Sequence, residues 1–189
     1  MVHLLIAIIG SLGVLVLAAV AKIPTYRVAP LFLIPLIWIG YWLRKRFYLH
    51  PAHYALLVGA ILLHDVGAFG FYQESPLPFS FDILVHSFFG FAATFAVYRL
   101  LEHAFPFRRW QTNLFTLLTI MGCGALHEIM EYMSYLTLGE QRGMLKPTTS
   151  YFFDTQRDLT SNLVGVIVGL VVINLWKALS GGAERNRAG

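Results

Sequence analysis

Apolar residues run through this chain in long blocks broken by short polar stretches. A helix needs about 20 mostly apolar residues to cross roughly 30 Å of hydrocarbon. Six blocks approach that length, at about 3–21, 28–43, 52–72, 81–101, 114–138 and 158–177. They predict an all-α fold, a polytopic membrane bundle of about six transmembrane helices. The whole chain, 1–189, then forms one integral membrane domain. The second block is the shortest and carries Pro30 and Pro35. Proline inside a span kinks the helix when neighbours satisfy the freed carbonyl, so the block still reads as a span. Ala19-Val20-Ala21 resembles a signal-peptidase site, but no Lys or Arg precedes the apolar run. The first block is therefore expected to be retained.

Composition strengthens this reading. The chain is 57% hydrophobic and only 13% charged, about half the charged quarter of a soluble domain. That excludes a disordered chain and an ordinary soluble enzyme. The net charge of +4 comes from short loop clusters and forms no stripe, which argues against nucleic acid as a partner. Cys123 is the only cysteine, so there is no internal disulfide and no Cys-rich metal site. In the six-span reading Arg44, Lys45, Arg46, Arg99, Arg108, Arg109, Lys177, Arg185 and Arg187 fall on one face of the membrane. Lys22, Arg27, Arg142, Lys146 and Arg157 fall on the other. The excess predicts that both termini are cytoplasmic.

Ionisable residues inside spans are costly and usually functional. Here they are His64 and Asp65 in the third span, Asp82 and His86 in the fourth, and His127, Glu128 and Glu131 in the fifth. Asp154, Asp158 and Asn162 belong to the sixth. At 1.5 Å per residue, His64 rises about 16–18 Å and the two glutamates about 21–26 Å from the cytoplasmic side. The fourth and sixth spans descend, which keeps Asp82, His86, Asp158 and Asn162 within about 8 Å of the outer face. Four antiparallel helices thus deliver polar groups to one layer in the outer half. Residues four apart share a helix face, as do Asp82 with His86 and His127 with Glu131. Asp154, Asp158 and Asn162 extend such a stripe if the helix begins by Asp154, although Asp154 also fits a simple N-cap. His64 and Asp65 diverge by about 100°, so one of them is expected to face the centre. Gly67, Gly70 and Gly90 are small enough for close helix approach.

Five carboxylates near one layer, Asp65, Asp82, Glu128, Glu131 and Asp158, need compensation: a metal ion, shared protons or a cationic ligand. Carboxylates with histidines suit a divalent ion such as Zn, Mn, Mg or Fe. The expected ligands are Asp82, His86, Glu131 and Asp158, with Glu128 as general base on a metal-bound water. His64, Asp65, His127, Asp154, Arg157 and Asn162 are expected to support them or bind substrate. Arg157 turns about 100° from Asp158, which leaves service to the loop as its alternative role. His127-Glu128-Ile129-Met130-Glu131 resembles the HExxH zinc helix but lacks its second histidine. There is no nucleophile elbow, P-loop or GxGxxG.

The segments Phe81-Asp82-Ile83-Leu84-Val85-His86-Ser87-Phe88-Phe89-Gly90, Glu128-Ile129-Met130-Glu131 and Asp154-Thr155-Gln156-Arg157-Asp158-Leu159, with Asn162 and Gly165, carry a resemblance. In order they read D-xxx-H-xxx-G, an acidic helix, then D-xxx-D-xxx-N-xx-G. The set, over roughly residues 50–177, resembles the YjdF-like inner-membrane proteins and, more distantly, the VanZ-like superfamily. The resemblance implies a small multi-span protein of the bacterial inner membrane. VanZ-like members are associated with resistance to glycopeptides of the teicoplanin type. Three functions follow as expectations. The first is a metal-dependent enzyme acting on a lipid or lipid-linked group at the outer leaflet. The others are a non-catalytic headgroup-binding partner and a proton- or cation-coupled transporter. A transporter fits less well, because no internal duplication is visible and the acids stop in one half.

Overall fold

The six blocks fold as six helices in a computed structural model that describes residues 1–138 and 151–185. They are α1 (Val2–Val20), α2 (Pro30–Leu43), α3 (Pro51–Val66), α4 (Phe81–Ala104), α5 (Arg109–Leu138) and α6 (Tyr151–Arg185). Each is a largely apolar run in which every backbone group can bond within the segment, as hydrocarbon requires. Pro30 and Pro51 stand in the first turn, where a missing N–H costs nothing. His50 adds a side-chain cap, its Nδ1 accepting from the Ala52 amide at 3.3 Å. Pro35 lies inside α2 without ending it.

Two triplets of helices make the bundle. In the first, Ala7 and Val14 of α1, Ile37 of α2, and Tyr54 and Val58 of α3 form a buried cluster. In the second, Ala93 of α4, Ile120 of α5 and Val166 of α6 do the same. The triplets join where α3 packs on α4. Large apolar side chains such as Ile9, Leu12, Phe32, Leu118, Ile167 and Val171 remain exposed around the outside. A belt of that kind on a polytopic chain is its lipid-facing surface.

The closest pairing is α4 with α6, and two glycines permit it. A Cβ on Gly90 would strike the backbone carbonyl of Asn162, and one on Gly165 that of Ser87. The backbones therefore meet without intervening side chains, as in other small-residue crossings. That contact fixes the register which sets the first turns of α4 and α6 beside each other.

Several sequence expectations need correction. α2 has 14 residues, about 21 Å of helix. Among the described residues five helices are long and apolar enough to cross a membrane by themselves, and α2 is a shorter apolar helix beside them. The third block stops at Val66 rather than continuing to residue 72. A short 3-10 turn, Gly67–Phe69, and the left-handed Gly70 (φ 96°) end it there. The sixth begins at Tyr151 rather than 158, so Asp154 lies in the first turn of the helix and is not its cap.

The basic loops gather at one end. His3 Nε2 lies 3.0 Å from the Leu49 carbonyl, and Arg99 donates to the Tyr48 carbonyl at 2.6 Å. Arg109 bonds the side chain and carbonyl of Asn174, while Lys177 pairs with Glu102. The start of α1, the α2–α3 turn, the α4–α5 connection and the later part of α6 thus share one end of the bundle. Arg142, Lys146 and Arg187 lie outside the described residues.

Candidate functional site

At the opposite end a cavity of about 370 Å³ opens between the two triplets. Asp82 and His86 reach it from the start of α4, His127 and Glu131 from α5, and Asp154, Arg157, Asp158 and Asn162 from α6. His64 reaches it from the end of α3. These are antiparallel helices, so the agreement in depth expected from the sequence is a real convergence.

The geometry centres on His86. Its Nε2 lies 3.5 Å from Asp82 Oδ1 and 3.8 Å from Asp158 Oδ2. One ligand atom from each of the three residues falls within 4.8 Å of the others. Two tetrahedral ligands on an ion with bonds of about 2.0–2.2 Å stand roughly 3.3–3.6 Å apart. The two distances to His86 come near that spacing, and the set as a whole is somewhat wider.

Arg157 organises the same carboxylates from the other side. Its guanidinium donates to Asp82 Oδ2 at 2.7 Å and to Asp158 Oδ1 at 3.3 Å, and it also pairs with Asp154. Each central aspartate is split between two partners. The outer oxygen faces Arg157 and the inner one faces His86. Arg157 therefore serves the cavity, in keeping with its place among the supporting residues. It fixes both carboxylates in orientations that present a single oxygen. One guanidinium against four lining carboxylates, Asp82, Glu131, Asp154 and Asp158, still leaves a negative excess when they are ionised.

Glu131 is not part of the His86 set. It pairs with His127, Oε1 to Nε2 at 3.4 Å, and the His127 ring stands 6.1 Å from that of His86. The cavity thus has an Asp–His–Asp cluster on one side and a His–Glu pair facing it. Asn162, one turn beyond Asp158, lines the cavity with its Oδ1 unpartnered among the described residues.

Glu128 and Asp65 sit differently from the rest. Neither is among the described lining residues. Glu128 is buried with one carboxylate oxygen unpartnered, and within reach of Thr155 on α6. Asp65 is buried with neither oxygen partnered among the described residues. Of the adjacent pair, His64 is the one that faces the cavity.

Two tyrosines were not foreseen. The Tyr72 hydroxyl lies 2.8 Å from His64 Nδ1 and donates to the His64 carbonyl at 3.2 Å, which fixes the ring. Tyr26 stacks on Tyr72 at a ring-centroid distance of 6.1 Å and stands tilted beside His64 at 5.6 Å. Burial pushes both phenols well above their ordinary range, so they stay protonated. Gly67 makes room for Tyr72, because a Cβ there would enter its ring. The helix break at Gly67–Gly70 was the available signal, since it turns the chain back on His64.

A family model described as predicted membrane protein (DUF2238) matches residues 1–178. The chain belongs to that family. DUF2238 is the YjdF family, to which the ordered motifs pointed. No curated protein and no solved structure matches the chain. The DUF2238 assignment agrees with the helical bundle and its lipid-facing belt, and it carries no reaction.

Proposed function

We propose that this DUF2238 protein is a metal-dependent membrane hydrolase acting on a lipid or lipid-linked phosphoester. The observation that carries this reading is the inward-facing set of Asp82 Oδ1, His86 Nε2 and Asp158 Oδ2 on the wall of a cavity. Three protein ligands with an open fourth position is the arrangement of catalytic rather than structural sites. Zn, Mn, Mg or Fe fits the nitrogen and oxygen donors. Such an ion would polarise the phosphoryl oxygen and acidify a water molecule.

The His127–Glu131 pair suits the role of base better than Glu128 does. His127 turns Nε2 towards Glu131, leaving Nδ1 to accept a proton, and the carboxylate stabilises the resulting imidazolium. Water oxygen bonds to phosphorus as the ester P–O bond breaks. The proton held by His127 then passes to the departing alcohol oxygen. Arg157 and Asn162 hold the aspartates and the headgroup.

The basic cluster at the far end supports a cytoplasmic location for both termini. The cavity then faces the outer leaflet of a bacterial inner membrane. A second reading, a headgroup-binding protein without chemistry, draws support from Arg157, which already compensates three aspartates. The VanZ-like likeness of the motifs is compatible with it.

Turnover separates the two. Purified protein in nanodiscs of bacterial lipid, supplied with each divalent ion in turn, should convert a phospholipid or lipid-linked phosphate species detectable by mass spectrometry. His127→Gln should lower the rate by about 100-fold or more, the usual scale of one general base, while metal binding is retained. Headgroup binding with no conversion under any ion would favour the second reading and overturn the first.

A further inference from the structure

The cavity is not polar throughout, and its polarity changes along the bundle axis. On α4 the lining runs from Asp82 through His86 to Phe89, about 10 Å inward from the end of the bundle. On α5, which runs the other way, it passes from Glu131 through His127 to Cys123 over about 12 Å. Two antiparallel helices thus change from charged to apolar in the same direction and over the same distance. Leu33 and Leu36 of α2 complete the apolar part.

That inner part opens sideways. Leu36, Phe89 and Cys123 line the cavity and are also exposed on the surface of the bundle, Leu36 at 53%. α2 packs on α1 and α3, whereas α5 packs on α4 and α6. The two make no extensive contact with each other, although both contribute walls. The gap between them lies at the level of the exposed apolar belt. In a bilayer the molecules at that level are lipid chains.

We infer that this gap is a lateral slot for one alkyl chain of a membrane amphiphile, entering between α2 and α5 past Leu36, Phe89 and Cys123. The inference rests on the reading above, in which the polar head is acted on at Asp82, His86 and Asp158. Charged end outward and apolar end inward is the orientation of a lipid in its leaflet. A volume of about 370 Å³ is near the lower end of small-ligand sites, roughly 300–1,000 Å³. It suits a headgroup with the upper part of one chain, so a second chain would stay in the bilayer. The slot therefore selects for an amphiphile over its free headgroup.

Photocrosslinking tests this on the full chain in nanodiscs doped with a phospholipid that carries a diazirine midway along one acyl chain. Adducts should concentrate on α4 around Val85–Phe89 and on α5 around Cys123, above the level on the outer face of α1. Leu36→Trp should reduce those adducts about tenfold by obstructing the slot, with the α1 adducts unchanged. A bulky maleimide on Cys123, the only thiol, provides the same obstruction in the folded wild-type protein. Lysophospholipid should compete for the slot and glycerol phosphate should not. Adducts spread evenly over all lipid-facing surfaces and indifferent to both obstructions would overturn the slot. Equal competition by glycerol phosphate would overturn it too. Asp158→Asn separates this inference from the metal reading, because it removes a metal ligand and should leave slot adducts intact. Slot adducts in a protein that binds no metal would leave the slot standing and the hydrolase reading refuted.

Discussion

Gly165→Leu should abolish the folded bundle. At this position α6 lies against the α4 backbone so closely that even a Cβ would strike the Ser87 carbonyl and approach the Phe91 amide. A rigid backbone cannot yield as a side-chain tip can, so the helices must separate. Overpacking of a tight core costs typically 1–3 kcal/mol and occasionally more. A backbone clash belongs at the upper end, about 3 kcal/mol or beyond. Separation would also break the register that sets Asp82 and His86 against Asp158, so site and fold should fail together. Gly122→Leu is the control, since no neighbour stands within 4 Å of its Cβ position. The measurement is the monodisperse fraction in mild detergent together with a thermal melt. Gly165→Leu should aggregate or melt far below wild type, and Gly122→Leu should match it. Equal behaviour of the two would show that the α4–α6 contact is looser than described.

Removing the divalent ion should destabilise the protein, and the loss should depend on pH with a definite sign. An ion that binds only the folded state stabilises it by about 4 kcal/mol at a thousandfold excess over its Kd. A chelator withdraws that contribution. Acid should do the same, because protons compete with the ion for Asp82, His86 and Asp158. The chelator-sensitive part of the stability is then full near neutral pH and lost as pH falls towards about 5, through the range where histidine ligands protonate. If the acids instead share protons, mild acid relieves their mutual repulsion and stabilises the fold. Melting curves from about pH 5 to 8, with and without chelator, distinguish the two signs.

Much of this arrangement was legible in the sequence, for identifiable physical reasons. Depth in a membrane helix is arithmetic, and spans of alternating direction convert it into a test of convergence. That argument brought Asp82, His86, Glu131 and Asp158 to one cavity, with Glu131 facing the other three. The glycines of D-xxx-H-xxx-G and D-xxx-D-xxx-N-xx-G were visible, but their function was not. Gly90 and Gly165 are the α4–α6 contact itself, which only the partner backbone reveals. Rotation about a helix does not settle where a long side chain reaches. The Arg157 Cβ direction differs from that of Asp158, yet the long guanidinium returns to bridge both central aspartates. Glu128 and Glu131 are three apart, and both were placed in the site, as base and ligand. The one sharing a face with His127 lines the cavity, and the other is buried near Thr155. α2 was read as a short span from about residue 28, and it has only 14 residues because Pro24–Val28 forms a 3-10 turn before it. Tyr26 and Tyr72 escaped notice because loop aromatics acquire meaning only from the turn that folds them over His64.

The central claim is that Asp82, His86 and Asp158 together hold one divalent ion. Elemental analysis of protein purified in mild detergent, after equilibration with each candidate metal and removal of free ion, measures this directly. Asp158→Asn removes one ligand, and Asp65→Asn alters a buried acid outside the cavity as the control. The account predicts about one ion per chain in wild type and in Asp65→Asn, and little in Asp158→Asn, with loss of one ligand from a three-ligand site as the cause. Wild-type protein without stoichiometric metal, or Asp158→Asn retaining as much as wild type, would contradict it.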